Sequence, residues 1–231
     1  MDIMQAMRAR HSVRAYERKA IPQEIAAALA AETESCNREG GLRIRLVLGE
    51  PKAFSSPLAH YGKFTGVENY FVLAGKKSQD LSERAGYYGE RLVLCAQALG
   101  LNTCWVALTV SRRAAKKFAN LSRGEKLACV VALGYGKTQG AAHKSKTPPQ
   151  VCAAEEGALQ NGGYPAWFER GVEAALLAPT AVNQQKFLFT LTAQGKVRAE
   201  QTGGYCRGLD LGILKYHFEL GAGKENFGWE N

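Results

Sequence analysis

The chain has 231 residues, of which 46% are hydrophobic, so it can bury a substantial core as one large domain or two small ones. No run approaches the roughly 20 consecutive apolar residues that a membrane-spanning helix requires, and the first residues do not resemble a signal peptide, so we expect a cytoplasmic protein. The net charge of +9 favours anionic partners such as a phosphorylated cofactor, a nucleic acid or an acidic surface. Neither the six scattered cysteines nor the four histidines have metal-ligand spacing, so no metal site is expected.

The first hundred residues are predicted to alternate helices and strands. Asp2 can cap an amphipathic helix over residues 2–10, and the alanine-rich segment QEIAAALAAETESC predicts a helix that stops before Gly40. LRIRLVL alternates as a half-buried strand does, and residues 70–74 predict an inner strand. A long helix from Ser82 to Leu99 should end at Gly100, because glycine tolerates the left-handed conformation of a C-cap.

The middle of the chain continues in the same manner. LNTCWVAL is predicted to be extended, RRAAKKFANL to be a short basic helix, and KLACVVALGYG to be a buried strand that leads into a glycine-rich loop. The glycines of LGYGKTQG do not have the spacing of a dinucleotide-binding fingerprint. The weakly patterned residues from about Cys152 to Tyr164 predict a linker between two halves.

A helix in WFERGVEAALLAP and a strand in KFLFTLTA follow the predicted linker. The last segment, GLDLGILKYHFELGAGKENFGW, resembles GERLVLCAQALGLNTCW. In both, a helix that begins near a glycine ends at another glycine and leads to an aromatic residue, and this similarity predicts a duplicated architecture. The corresponding positions are Gly89, Gly100 and Trp105 in one segment, and Gly212, Gly223 and Phe227 or Trp229 in the other.

Two short stretches carry the candidate chemistry. In RARHSVRAY, the side chains of Arg10, Ser12 and Arg14 alternate, so in an extended segment they would share a face and could bind one phosphate. Lys144 and Lys146 alternate in the same way before two prolines and could approach the phosphate from the other side. An exposed basic strand and an exposed basic loop explain the same patterns.

The second stretch is LLAPTAVNQQKFLF, in which Pro179 is predicted to end a helix ahead of a polar turn. Asn183 and Gln185 offer amide donors and acceptors that suit the edge of a planar heterocycle. An ordinary polar loop would have the same composition.

These stretches resemble the FMN-dependent nitroreductase family. RHSVRAY followed by IP is similar to the N-terminal signature of the family, APTAVNQQKF is similar to its A-P-S-A-x-N-x-Q-P-W segment, and LGLNTCWVAL is similar to its segment beside the flavin. The resemblance implies an α+β fold with a central mixed or antiparallel sheet flanked by helices, and tight non-covalent binding of FMN. It implies that Arg10, Ser12 and Arg14, with Lys144 and Lys146, hold the phosphate, and that His11 lies near the ribityl or pyrimidine side.

The same resemblance implies the contacts to the flavin ring. Cys104 and Trp105 would lie beside the ring. A donor near N1 and O2 would stabilise the reduced flavin, and Asn183 could serve, or Lys63, which occurs in the glycine-containing loop HYGKFTG before residues 70–74. For Cys104, a packed buried thiol is the alternative to a redox role. Thr180 replaces the usual serine and keeps a hydroxyl, while Lys186-Phe187 replaces Pro-Trp. The implied ring contacts of the second stretch are Pro179, Thr180, Ala181, Asn183 and Gln185.

We call RHSVRAY the first motif and APTAVNQQKF the second motif. The chain departs from the family in the position of the second motif. Ordinary members carry it soon after the first and form a dimer whose flavin site takes one motif from each subunit. Here the loop after the first long helix reads ESCNREGG, and the motif occurs only in the second half. The pattern predicts a fused pseudo-dimer, with a phosphate-binding half at about residues 1–151 and a flavin-ring half at about residues 164–231, which builds one FMN site and can be monomeric.

The activity implied is NAD(P)H-dependent reduction of nitroaromatic or quinone-type acceptors by ping-pong hydride transfer, in which the flavin carries the chemistry. A sensor or storage protein that binds FMN without efficient turnover is the alternative. A nucleic-acid-binding protein is a second alternative, suggested by the charge and by RRAAKKF, but no recognised binding module accompanies them. The sequence leaves open the acceptor, the choice between NADH and NADPH, and any further association.

Overall fold

The protein is described by a computed structural model that covers residues 1–159 and 162–230. Within these residues it has seven α-helices and seven β-strands. The helices are α1 (Ile3–Ala9), α2 (Gln23–Gly40), α3 (Pro57–Tyr61), α4 (Leu81–Ala98), α5 (Arg112–Phe118), α6 (Ala166–Ala175) and α7 (Arg207–Ala222). The strands are β1 (Arg45–Val47), β2 (Asn69–Lys76), β3 (Asn102–Val106), β4 (Glu125–Gly134), β5 (Cys152–Ala154), β6 (Phe187–Leu191) and β7 (Val197–Gln201).

The strands form two sheets. The larger has the order β1-β2-β4-β3 and is antiparallel throughout. Its inner strands β2 and β4 are almost continuously buried, because hydrophobic side chains cover both faces. The smaller sheet has the order β5-β6-β7, with β5 parallel and β7 antiparallel to β6. The predicted α+β fold with an antiparallel central sheet flanked by helices is confirmed.

Local signals set the start of α1 and the end of α2. The Asp2 carboxylate accepts a hydrogen bond from the Gln5 N–H at 2.8 Å, and the Gln5 side chain returns a bond to the Asp2 N–H. This capping box stabilises the start of α1. At the C-terminal end of α2, Gly41 adopts φ 57° and terminates the helix.

Helices α4 and α7 lie side by side and run in the same direction, since Ser82 lies beside Gly208 and Glu90 bonds to His217 further along both helices. The prediction of a helix from Ser82 to Leu99 is confirmed by α4, but the repeated pattern placed the helix starts near Gly89 and Gly212, and this is wrong. Both begin well before Gly89 and Gly212, which lie inside the helices. Glycine is needed at Gly212 because a Cβ atom there would collide with a backbone carbonyl of α4.

The prediction of a linker from about Cys152 to Tyr164 is also wrong in part. Cys152–Ala154 form β5, which pairs with residues 189–191, a partner too distant in sequence for a local pattern to reveal. Gln160 and Asn161, which fall in the same predicted linker, lie outside the described residues. Two further elements, α3 and β7, were not predicted.

In the part of the chain that the structure describes, no helix is both long and apolar enough to cross a membrane. Within the same residues, no group of three or more His, Cys, Asp or Glu side chains could hold a metal ion.

Candidate functional site

The segment that carries Arg10, Ser12 and Arg14 is extended, as predicted. It leaves α1 and runs parallel to β3, where Ser12 pairs with Thr103 and the Val13 N–H donates to the Thr103 carbonyl at 3.0 Å. Val13 faces the core, whereas Ser12 and Arg14 are exposed on the opposite side. Alternation therefore places the hydroxyl and one guanidinium on a common open face.

Arg10 differs from Arg14 because it is only 3% exposed. Its Nε lies 3.9 Å from a carboxylate oxygen of Glu90, which is too far for a hydrogen bond. Among the described residues, no acceptor bonds to this buried Nε. Burial lowers the pKa of the guanidinium, and the negative charge of Glu90 partly offsets that effect. A buried cation with an unsatisfied donor is the chemistry expected of an anion site.

Cys104 connects these side chains to the sheet. Its thiol lies within hydrogen-bonding reach of Ser12, and it is close enough to Arg10 and Arg14 to feel both charges. Burial nevertheless raises the pKa of the thiol, and the arginines only moderate the rise. A buried, protonated thiol is a poor nucleophile, so the geometry favours the packing role over a redox role.

His11, within the first motif, lies near the basic segment of residues 143–146 that follows β4. Burial lowers its pKa first, and the nearby Arg10 and His143 lower it further. The glycine-rich loop packs directly on this residue, since a Cβ atom at Gly140 would lie 2.8 Å from the His11 Cβ. The loop therefore contributes close packing to the motif.

The basic segment is bonded to the second motif. The Lys146 N–H donates to the Gln185 side-chain oxygen at 2.8 Å, and the Lys146 ammonium donates to the Gln185 carbonyl at 2.7 Å. The carbonyl of Lys144 accepts from the side-chain amides of Asn183 at 3.0 Å and Gln185 at 2.8 Å. His143 and Ser145 both bond to the Leu176 carbonyl, at 3.0 and 3.2 Å.

The loop of the second motif is held by an aspartate that the sequence does not single out. Asp210, in the first turn of α7, accepts from the Ala181 N–H at 3.0 Å and from the Gln184 side chain at 2.7 Å. Burial raises its pKa to about 6, although these two hydrogen bonds oppose the rise. The Thr180 hydroxyl accepts from the Gln185 N–H at 3.1 Å and closes the loop.

Helix α6 ends at Ala175, earlier than the predicted stop at Pro179, which lies half-buried in the segment that leads into this loop. Lys63 adopts φ 60° in the turn after α3, and two residues later the Thr65 N–H donates to the Arg14 carbonyl at 3.0 Å. Lys63 is therefore close in sequence to a residue that contacts the first motif.

Trp105 hydrogen-bonds to Glu90, the carboxylate beside Arg10. Its indole N–H donates to Glu90 at 2.8 Å, and the second oxygen of Glu90 lies 2.9 Å from His217 on α7. Sequence reasoning missed Glu90 and His217, because each occupies a core-facing helix position where the pattern predicts an apolar residue. The only signal in the sequence was a polar residue at a position where the helical pattern predicts an apolar one.

The structure thus brings the candidate residues into two connected groups. Arg10, Ser12 and Arg14 surround Cys104, while the basic segment is bonded to the second motif. His143 lies near His11 and joins the two groups.

The family model described as "Putative TM nitroreductase" matches residues 2–222. The chain belongs to this nitroreductase family.

Solved structures agree with this assignment of the fold. A putative nitroreductase from Thermotoga maritima is 23% identical, with a TM-score of 0.66, over 97% of this chain and 85% of its own. A putative NADH dehydrogenase/NAD(P)H nitroreductase from Parabacteroides distasonis is 18% identical, with a TM-score of 0.52, over 64% of this chain and 95% of its own. A putative nitroreductase in complex with FMN from Desulfovibrio desulfuricans is 15% identical, with a TM-score of 0.50, over 65% of this chain and 95% of its own.

Among curated proteins, none matches this chain. The resemblance to the nitroreductase family predicted from the sequence is confirmed by the family model and by the shared fold.

Proposed function

We propose that this chain is an FMN-dependent oxidoreductase that uses NAD(P)H to reduce nitroaromatic or quinone-type acceptors. The observation that carries the proposal is the buried Arg10 guanidinium, whose Nε has no hydrogen-bond acceptor among the described residues. Buried donors are normally hydrogen-bonded, and Glu90 at 3.9 Å does not satisfy this one, so an anionic ligand at the guanidinium would complete the site. The complex of the Desulfovibrio nitroreductase with FMN supports this cofactor.

The donors around Arg10 fit a phosphate. Ser12 and Arg14 face the same open side, and Lys146 belongs to the segment whose His143 lies near His11. The Lys146 ammonium uses one of its three donors on the Gln185 carbonyl, which leaves others for a ligand. We assign the FMN phosphate to Arg10, Ser12 and Arg14, with Lys144 and Lys146 completing its shell and His11 next to the ribityl chain.

The second motif would border the flavin ring, with Lys63, Cys104 and Trp105 on the side of the first half. Ala181 and Gln185 already bond to protein groups, so their part would be to shape the loop. Asn183 and Thr180 bond within the protein as well, but the exposed Asn183 amide uses one of its two hydrogens on the Lys144 carbonyl, which leaves the other for a ligand.

FMN supplies hydride chemistry when it is bound, being reduced by NAD(P)H and reoxidised by an acceptor. The residues of this chain would bind and orient it and keep water from one side of the ring. No dedicated acid or base is needed for that role. The buried Cys104 thiol would remain a packing group.

We also propose that the chain is a fused pseudo-dimer. The Parabacteroides and Desulfovibrio proteins align over 95% of their own length but cover only 64% and 65% of this chain. About a third of this chain therefore lies outside the region that corresponds to one such protein. The pairing of α4 with α7, and the bonds between the basic segment and the second motif, support one site built by one chain. A monomer in solution is the expected state.

The test is spectroscopic. The purified protein, reconstituted with FMN if it is colourless, would be mixed with NADPH or NADH without air while the flavin absorption is recorded. Bleaching, followed by recovery of the colour on adding a nitroaromatic or a quinone, is the expected result. A yellow protein that neither coenzyme bleaches would instead be an FMN sensor or store, and a colourless protein that takes up no FMN would overturn the proposal.

Matched variants separate the site from general charge. Ser12→Ala and Arg14→Gln should each weaken FMN binding by about tenfold or more, because each removes a phosphate donor. Arg113→Gln removes the same charge from an exposed position of α5 and should leave binding unchanged.

A further inference from the structure

A buried group of charged side chains lies behind the phosphate motif. Arg10 follows α1 and is 3% exposed, while Glu90 on α4 and His217 on α7 are 0% exposed. The Arg10 Nε lies 3.9 Å from Glu90 Oε1, and the same oxygen lies 2.9 Å from the His217 Nε2. We call these three residues the buried charge chain.

Two members of the buried charge chain, Glu90 and His217, are fixed by other groups. The second oxygen of Glu90 accepts from the Trp105 indole N–H at 2.8 Å, so the carboxylate cannot turn away from Arg10. The His217 Nδ1 lies 3.1 Å from the Ala174 carbonyl. This carbonyl belongs to the last turn of α6, and Leu176, which follows, holds His143 and Ser145 of the basic segment.

The partners of His217 determine how many protons the buried charge chain carries. A carbonyl can only accept, so Nδ1 must bear a hydrogen. At 2.9 Å, the contact between Nε2 and Glu90 then requires a second proton between the two groups. Whether Glu90 or His217 holds that proton, the three side chains of the buried charge chain together carry one net positive charge. An anion is needed to balance a positive charge at a buried site.

We propose that Glu90 and His217 are positioning residues that orient Arg10 and maintain this positive charge for the phosphate of FMN. The proposal rests on the proposed function, since it concerns the same cofactor. Glu90 lies on the Nε side of the guanidinium at 3.9 Å, so the terminal nitrogens of Arg10 would be the donors that face the phosphate. His217 stops Glu90 from neutralising Arg10. The phosphate site in the first half thus depends on α7 in the second half.

The proposal predicts an effect on the phosphate but not on the flavin ring, so the experiment compares FMN with riboflavin, which lacks the phosphate. Dissociation constants of both flavins are measured on apoprotein by fluorescence quenching. His217→Gln keeps a donor for Glu90 but removes the proton, and it should weaken FMN binding by about tenfold while riboflavin binding is unchanged. Glu90→Gln frees Arg10 and should act in the same direction.

Glu219→Gln is the matched control. Glu219 is a second carboxylate of α7, 8% exposed, that accepts from the Trp229 indole at 2.7 Å and takes no part in the buried charge chain. The ratio of FMN to riboflavin affinity should stay at the wild-type value in this variant. If His217→Gln and Glu90→Gln do not fold, Glu90→Asp, which keeps the charge but withdraws the carboxylate from Arg10, should lower the ratio.

The outcomes are distinct. A lower ratio in the buried-charge-chain variants with a constant ratio in Glu219→Gln supports the proposal. An unchanged ratio, or parallel weakening of both flavins, overturns it while leaving the FMN site intact. A wild-type protein that binds neither flavin overturns the proposed function itself.

Discussion

Lys146 and Gln185 are joined by two hydrogen bonds although 39 positions separate them in the chain. Gln185 is only 4% exposed, and its amide nitrogen donates to the Lys144 carbonyl at 2.8 Å. One glutamine side chain thus satisfies two backbone groups of the basic segment. The second motif fixes the position of this segment through Gln185.

Gln185→Ala should therefore disorder the basic segment. It removes the side-chain bonds to both of these backbone groups and leaves the Lys146 N–H without its acceptor, so we expect the free energy of unfolding to fall by about 2–3 kcal/mol. FMN affinity should fall as well, because Lys146 loses its fixed position. Chemical denaturation and flavin titration measure the two effects.

Gln23→Ala, at the exposed start of α2, is the control for this substitution and should change neither quantity. A Gln185→Ala protein with wild-type FMN affinity would contradict the proposed role of Lys146.

Asp210 should make the stability depend on pH. Its folded-state pKa of about 6 is higher than the value of 3.8 for a free aspartate, so the folded protein binds the proton more tightly than the unfolded chain. Its contribution is fully present below about pH 4 and is lost as pH rises through about 6. The total change is on the order of 2–3 kcal/mol. Asp210→Asn should abolish this part of the pH profile.

The measurement is denaturant unfolding at several pH values between 4 and 7. Asp80→Asn serves as the control, because Asp80 is exposed and its pKa is lowered, first by a hydrogen bond from Ser78. If Asp210→Asn retains the wild-type slope between pH 4 and 6, another group is responsible.

Most helices could be predicted because their signals are local. The Asp2 capping box and the left-handed Gly41 each act within a few residues of the helix end that they set. The extended conformation of residues 10–14 follows from alternation in the same way. Both motifs of the candidate site were therefore visible in the sequence.

The remainder depends on partners that only the fold brings together. Glu90 and His217 are 127 positions apart, and nothing near either residue indicates the other. Asp210 looks like an ordinary first-turn acid of α7 until the second motif packs on it. The strand β5 was read as linker for the same reason, since its identity depends on β6.

Close approach of α4 and α7 should make their glycines sensitive to substitution. A Cβ atom at Gly86 would collide with the Leu209 carbonyl, and one at Gly212 would collide with the Glu83 carbonyl. Alanine normally stabilises a helix interior relative to glycine, but here the backbones would have to separate. We expect Gly86→Ala and Gly212→Ala each to lower the free energy of unfolding by about 2 kcal/mol or more.

Gly163→Ala is the control for these two variants, because no atom of the described residues lies within 4 Å of a Cβ atom there and no positive φ is involved. It should change stability by less than about 0.5 kcal/mol in thermal or chemical unfolding. Full stability of Gly212→Ala would show that the two helices can separate without cost.

Val182, in the second motif, combines an exposed apolar side chain with an unfavourable backbone. It is 86% exposed and adopts φ 48° and ψ 28°, a left-handed conformation that costs a β-branched residue about 1–2 kcal/mol. Asparagine tolerates this conformation, so Val182→Asn should raise the free energy of unfolding by about 1 kcal/mol. The reverse change, Asn120→Val at φ 51°, should lower it by a similar amount. A loss of stability in Val182→Asn would mean that the valine side chain makes a stabilising contact that outweighs the backbone strain.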